Sequence, residues 1–175
     1  MAVTGLRKKE GEMYFCHYDS PVGRLLVGGG NKLEFIGFPR GKSVISPDSE
    51  WRHDEKRFSD TLFQLDRYFN RSLTRFSLDY SLTGTPFQRR VWRELARVPY
   101  GTTISYGELA RRIGNASAAR AVGMANAKNP LPIVIPCHRV IGKNGTLTGF
   151  GGGLDVKHQL LALEGLDLPV PAASI

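Results

Sequence analysis

Ser105-Tyr106-Gly107-Glu108-Leu109-Ala110-Arg111-Arg112-Ile113-Gly114-Asn115-Ala116-Ser117-Ala118-Ala119-Arg120-Ala121-Val122-Gly123 decides the architecture of the second half of this chain. Ser105, with Glu108 three positions on, reads as a capping box that starts a short helix running through Ile113. Gly114-Asn115-Ala116 supplies a tight turn. Ser117 then caps a helix rich in small residues, reaching about Lys128. Helix, glycine-bearing turn and small-residue helix is the outline of a helix-turn-helix, whose second helix enters a DNA groove. Plain helical hairpins share that outline. Arg120 falls in the first turn of the second helix, a position that faces DNA in this geometry. Ala118, Ala119, Ala121, Gly123 and Ala125 around it permit a close approach to a backbone.

Upstream, Thr85-Pro86-Phe87-Gln88 reads as an N-cap, a proline at the first helical position and a capping-box glutamine. The helix that follows sets Phe87, Val91, Leu95 and Val98 on one stripe and Arg89, Arg93 and Arg97 on another. Pro99-Tyr100-Gly101 ends it. Between Gly84 and Met124 stand seven arginines (89, 90, 93, 97, 111, 112 and 120) against Glu94 and Glu108. The whole chain has a formal net charge of +8 and a sequence pI of 9.8, which points to an anionic partner. A merely cationic surface is the blander reading; the arginines around the helical hairpin favour nucleic acid.

Downstream, Asn129-Pro130 breaks the helix and leads into Leu131-Pro132-Ile133-Val134-Ile135, then Pro136-Cys137-His138-Arg139-Val140. The apolar run reads as a strand, and Pro136, lacking a backbone donor, suits its end or an extended segment lining a pocket. A thiol beside a histidine has the parts for covalent sulfur chemistry, because the thiolate is the nucleophile. Adjacent side chains on a strand point to opposite faces, however, and a single buried cysteine is more often a small core hydrophobe. The juxtaposition of thiol and DNA-reading hairpin points to a cysteine acting on nucleic acid.

The first third reads as a small β-rich unit. Met13-Tyr18, Arg24-Gly28 and Lys32-Phe38 are β-prone runs, separated by Ser20-Pro21-Val22-Gly23 and Gly29-Gly30-Asn31. Pro39 to Arg57 reads as a surface excursion. Asp60 to Asn70 places Leu62, Leu65 and Phe69 at helical spacing. Phe76-Leu82 is a further strand or a linker, and the tail Pro169-Ile175 is expected to fray. At 175 residues the chain can bury one substantial core or two small ones sharing an interface. Its only cysteines, Cys16 and Cys137, lie outside any CxxC spacing. That argues against a zinc site or a disulfide scaffold and suits a reducing cytoplasm. Met1 to Gly11 has no apolar signal-peptide core, and no apolar run reaches membrane-spanning length. A soluble cytoplasmic protein is expected, without a membrane partner.

The segment Ile135 to Val140 resembles the active-site signature of the methylated-DNA–protein-cysteine methyltransferases, the O6-alkylguanine repair family. Tyr106-Gly107-Glu108-Leu109-Ala110, Ala119-Arg120-Ala121-Val122-Gly123, Asn129-Pro130 and Leu147-Thr148-Gly149-Phe150-Gly151-Gly152-Gly153 fall in the family's order and spacing. The similarity covers roughly residues 84–165, with a weaker match at Asp19-Ser20-Pro21-Val22-Gly23. It implies an α/β (α+β) fold: a ribonuclease-H-like N-terminal β-sheet domain over 1–82 and a mainly helical C-terminal domain with the helix-turn-helix over 83–175.

By the same resemblance, Cys137 is the alkyl acceptor, and His138 acts through a water as base, oriented by Glu164. Unaided, Glu164 reads as a helix-face carboxylate. Arg120 wedges into the duplex beside Ala119, Ala121 and Gly123, while Tyr106 presses on the 3′ phosphate and is a donor to departing guanine. Asn129 supports the turn between recognition helix and active site, and Pro132, Val140, Phe150, Gly151 and Gly152 form the base pocket. Phe150 stands where many members carry tyrosine, and Gly151 and Gly152 lead to the expectation of an open rim that tolerates groups larger than methyl. The expected partner is double-stranded DNA carrying O6-alkylguanine, with O4-alkylthymine as a second substrate. The protein is expected as a monomer, with cooperative assembly on DNA left open and nucleoid association when DNA-bound. No cofactor or metal is expected; the metal site of some relatives lacks its residues here. Cys137 excludes the cysteine-less lesion binders of the family. A cysteine hydrolase and a simple helix-turn-helix regulator remain as the alternatives from other classes.

Overall fold

The structure, a computed structural model, describes residues 11–171; the basic N-terminal stretch before Gly11 and the last residues of the tail lie outside them. Strands β1 (Tyr14–Ser20) and β2 (Gly23–Gly29) pair as an antiparallel hairpin, with Tyr14 opposite Gly29 and Ser20 opposite Gly23. Ser20 closes the turn: its hydroxyl donates to the Gly23 carbonyl (2.6 Å) and accepts from the Val22 N–H (3.2 Å). β3 (Phe35–Gly37) pairs antiparallel with β2. The excursion read over Pro39 to Arg57 is not wholly a loop. Its β4 (Arg52–His53) pairs parallel with β1, giving the order β3-β2-β1-β4. Both β4 residues are exposed, so no apolar alternation marks this edge strand.

Helix α1 (Ser59–Phe69) buries Leu65 and Tyr68. The 76–82 segment is a linker whose one bridge joins Tyr80 to Leu33. It leads to α2 (Pro86–Leu95), where Thr85 and Gln88 form the full reciprocal capping box. Trp92 is nearly fully buried and donates from its indole to the Ala125 carbonyl (2.8 Å). That bond ties α2 to the helix carrying Arg120. Two-residue strands β5 (Ile104–Ser105) and β6 (Val140–Ile141) pair in parallel.

Helix α3 (Tyr106–Arg112) starts at Ser105, whose hydroxyl accepts from the Glu108 N–H (3.1 Å). The reciprocal half of this capping box is absent, because the Glu108 carboxylate bonds Arg111 and Arg112 instead. Gly114, with φ +80°, ends α3. The Asn115 N–H reaches the Ala110 carbonyl and the Gly114 N–H reaches that of Arg111, the paired bonds of a Schellman stop. Ser117 does not cap the next helix: it bonds Asn115, and α4 (Ala119–Ala127) begins from Ala118 without a side-chain cap. α4 packs on α2 and α3. α5 (Leu154–Leu163) follows the glycine-rich segment.

The expected cysteine strand does not form. Residues 131–135 fold as a turn, in which the Ile135 N–H bonds the Leu131 carbonyl (2.8 Å). Ile133 adopts φ +74°, costly for a β-branched residue. Full burial of Ile133 holds it there. So does Asn129, whose amide donates to the Ile135 carbonyl (2.8 Å) and accepts from the Leu131 N–H (3.0 Å). One apolar core runs from Cys16, Leu25 and Tyr68 through Trp92 and Leu109 to Ile135 and Leu160. The sheet unit and the helical unit therefore share buried surface.

Candidate active site

Cys137–Arg139 is a single 3-10 turn rather than a strand end. Three residues per turn set neighbouring side chains about 120° apart, so Cys137 and His138 need not oppose each other. Both are buried. His138 Nε2 lies 2.7 Å from Glu164 Oε1. A carboxylate only accepts, so Nε2 carries the proton and Nδ1 the lone pair. Among the described residues Nδ1 has no partner.

Glu164 sits at the C-cap of α5 and is fully buried. Its Oε1 accepts from His138 Nε2, Arg139 Nη2 (2.8 Å) and the Tyr68 hydroxyl (2.7 Å). Its Oε2 accepts from Arg139 Nε (2.9 Å) and the Gly101 N–H (3.1 Å). Burial pushes this carboxyl up, but the hydrogen bonds from His138 and Arg139, with the Arg139 charge, outweigh it and hold Glu164 well below the usual carboxylate range. Burial lowers His138, against the pull of Glu164, and so keeps the ring neutral.

Burial pushes the Cys137 thiol up to about 11, with the Asn129 amide and the Lys157 ammonium pulling the other way. At that value only about one thiol in 10^4 is ionised at pH 7. Reaction at neutral pH therefore needs a proton acceptor, and His138 Nδ1 is the neutral lone pair beside it in the chain. Lys157 is fully buried; its ammonium donates to the Val140 carbonyl (2.6 Å) and the Thr148 carbonyl (2.7 Å). It straps the 142–153 segment to the cysteine turn, and burial pushes it down to about 8.

A pocket of about 290 Å³, counting its open mouth, has Cys137 in its wall with Asn126, Asn129, Pro132, Phe150 and Gly151. Val140 and Gly152 lie outside this lining. Val140 is fully buried, and Gly152 packs under the Phe38 ring. Phe38 and Ser43 of the sheet unit complete the wall. Phe38 meets Phe150 edge-on, with centroids 5.5 Å apart. The glycines do not leave the rim open as expected. Lys42 and Ser43 N–H groups both donate to the Gly151 carbonyl (2.8 and 3.1 Å), and a Cβ on Gly151 would stand 2.0 Å from Ser43 Oγ. Lacking side chains, the glycines let the sheet unit close on the pocket.

Tyr106 begins α3 half-buried beside Gly123, and its hydroxyl accepts from Thr148 Oγ1 (3.2 Å). Burial raises its pKa, so the phenol keeps its proton and can donate. Arg120 is exposed on the first turn of α4, with Ala121 exposed and Ala119 half-buried. Met124 and Lys128, one and two turns further, are also exposed. They extend one face of short side chains with cations at its ends.

Sequence reasoning missed Arg139, Tyr68, Lys157, Phe38 and Ser43. Arg139 stood inside the Cys-His motif, but nothing local marks an arginine as buried. The other four come from distant segments and carry no spacing signal toward Cys137.

A family profile described as 6-O-methylguanine DNA methyltransferase, DNA binding domain, matches residues 86–166. Its ribonuclease-like domain counterpart matches residues 13–82. A methylated-DNA–protein-cysteine methyltransferase of Methanosarcina acetivorans is 46% identical over 154 residues, spanning 87% of this chain and 99% of that protein. The crystal structure of O6-methylguanine methyltransferase from Mycobacterium tuberculosis superposes with a TM-score of 0.81 at 45% identity, covering 90% of this chain and 95% of that one. The same organism's OGT in complex with DNA superposes with a TM-score of 0.81 at 45% identity over 87% of this chain and 93% of that one. With both profiles placed end to end across the sheet unit and the helical unit, this chain belongs to the 6-O-methylguanine DNA methyltransferase family.

Proposed function

We propose that this protein repairs double-stranded DNA by turning O6-alkylguanine out of the helix and taking the alkyl group onto Cys137 Sγ, once per molecule. The observation that carries this reading is the buried Cys137-His138-Glu164 constellation, in which Glu164 fixes the His138 tautomer and leaves Nδ1 as a base. His138 Nδ1 takes the Cys137 proton through a water. Sulfur then attacks the alkyl carbon, the S–C bond forms as the C–O6 bond breaks, and the electron pair leaves with the guanine oxygen. A proton from the Tyr106 phenol offsets the charge on departing guanine. The thioether left on Cys137 has no return path, so the reaction stops at one equivalent.

An alkyl group inside a stacked duplex is out of reach of a buried thiol, so the base must be extruded, at a cost of a few kcal/mol that is smaller for a poorly paired lesion. Arg120 holds the gap as a wedge, and the short side chains Ala119, Ala121 and Gly123 bring α4 close to the backbone. Asn129 pins the turn under Cys137, while Pro132, Phe150 and Gly151 face the base and Val140 and Gly152 support that wall. O4-alkylthymine is a second substrate, action is monomeric, and the location is cytoplasmic. Among the described residues no helix is long and apolar enough to cross a membrane.

The test is intact-protein mass after incubation with a duplex carrying one O6-methylguanine, followed by peptide mapping. One methyl per molecule, confined to Cys137, is expected. Unchanged mass with intact DNA binding refutes transfer and favours a regulator, and release of product beyond one equivalent favours a hydrolase.

A further inference from the structure

Tyr68 belongs to α1 of the sheet unit, 96 positions before Glu164, yet its hydroxyl donates to Glu164 Oε1 at 2.7 Å. That oxygen is also the one that holds His138 Nε2. Tyr68 is fully buried and packed between Phe76 (centroids 5.4 Å) and Tyr100 (6.2 Å). We infer that Tyr68 is a positioning residue of the reactive site, supplied by the N-terminal unit, and that its hydroxyl sets how strongly Glu164 holds the His138 proton. The inference rests on the reading of Cys137 and His138 as nucleophile and base.

A carboxylate offers about four lone-pair sites, and Glu164 meets five donors. Its charge is shared among Arg139, Tyr68, the Gly101 N–H and His138, so it draws His138 toward the imidazolium less than an unshared carboxylate would, and burial outweighs the pull that remains. A carboxylate bound to His138 alone would hold that cation tightly, and His138 would enter neutral pH already protonated and useless as a base. Tyr68 thus keeps Nδ1 available while fixing the Oε1 it shares with His138. Other charged or titratable groups bear on the pair as well. Arg139 bonds both oxygens from the cysteine turn, Tyr100 lies in the loop after α2, and Lys157 acts on His138 from α5. Cys137 is the adjacent residue. Burial and the Glu164 charge raise Tyr68 far above an ordinary phenol, so Tyr68 remains a donor throughout the working range.

A tyrosine with only a packing role also needs a partner for its hydroxyl when buried, and the two roles separate in a pH profile. The probe is carboxamidomethylation of Cys137 by iodoacetamide across pH in the full chain, read by peptide mass. Cys16, fully buried and pushed up to about 12 by burial, serves as the silent internal control. In Tyr68→Phe the acid-side midpoint of Cys137 reactivity moves up by about one pH unit, a loss of about tenfold at a pH below it, with the alkaline rate unchanged. Phe76→Leu loosens the same packing without touching the carboxylate and leaves the midpoint in place. An unmoved midpoint in Tyr68→Phe, or an equal shift in both variants, overturns the inference. The unaltered protein with 13C-labelled tyrosine supplies a reading that needs no variant: the Tyr68 ring signal must follow the His138 titration, and a flat signal overturns the inference. Iodoacetamide needs no DNA, so failure of methyl transfer from duplex would sink the repair reading while leaving this test intact.

Discussion

Glu164→Gln keeps the shape of the side chain and removes one buried charge, and its cost follows from the donors already counted. Both carboxylate oxygens face donors only: His138, Arg139 and Tyr68 at Oε1, and Arg139 and Gly101 at Oε2. Whichever way the glutamine amide turns, its NH2 group confronts N–H or O–H groups and its oxygen serves only one side. Arg139, 7% exposed at its side chain, loses its counter-charge. Breaking a buried ion pair by removing one partner costs about 3–5 kcal/mol. At roughly 2–4 °C per kcal/mol for a chain of this size, Tm falls by about 6–20 °C.

The pH dependence sharpens the test. The folded-state pKa of Glu164 lies below its ordinary value of 4.5, so its contribution to stability is complete above that pH and is lost as pH falls toward the folded value. Thermal unfolding followed by circular dichroism at pH 7 and stepwise down to pH 3 should show the gap between unaltered protein and Glu164→Gln narrowing below about pH 4.5. Alkyl transfer at pH 7 should fall by about 10²-fold or more, the scale of a general base. A gap under about 1 kcal/mol, the scale of an exposed pair, or a gap constant from pH 7 to pH 3, refutes the buried-charge account.

Cys137→Ser should abolish transfer while retaining affinity for O6-methylguanine duplex in a gel-shift titration; residual methylation of the variant contradicts the assignment. Arg120→Ala should slow repair in duplex by about tenfold or more while leaving reaction with free O6-benzylguanine base within about twofold, consistent with an extrusion step worth a few kcal/mol. Equal losses on both substrates remove the wedge. Phe38→Ala opens the ring pair over the pocket, so single-turnover rates on O6-benzylguanine should rise relative to O6-methylguanine. An unchanged ratio shows that the sheet unit does not limit adduct size. Removing a nearly fully buried phenylalanine also costs about 3–5 kcal/mol of stability, so the ratio, rather than either rate, is the measure.

Much of the helical half is written locally. Thr85-Pro86-Phe87-Gln88 specifies the start of α2 because both halves of its capping box lie within four residues. Gly114 specifies the end of α3 because only a residue tolerant of φ +80° closes that stop. Ser117 and the 131–135 run read less well. Ser117 had a nearer partner in Asn115. The apolar run satisfied its backbone through the Asn129 side chain rather than a neighbouring strand, a choice that hydrophobic pattern cannot report.

The sequence by itself marked the candidate reacting atoms, the Cys137 thiol and the His138 ring, through the motif that holds them, and the hairpin that carries Arg120 follows from the Ser105 cap, the Gly114 stop and small residues. It also determined the family, through several motifs in order. Only the tertiary structure decided the electrostatics of those atoms. Glu164 stays ionised through its bonds to His138 and to Arg139, which is held between Val98 and Glu164, while burial keeps His138 neutral against the pull of Glu164 and keeps Cys137 protonated against the pull of Lys157 from α5. Phe38 and Ser43 close the pocket from a unit roughly a hundred residues away in sequence. Reactivity here is a matter of burial and charge at contacts of 2.6–3.1 Å, which the chain makes between segments whose separation no local pattern encodes.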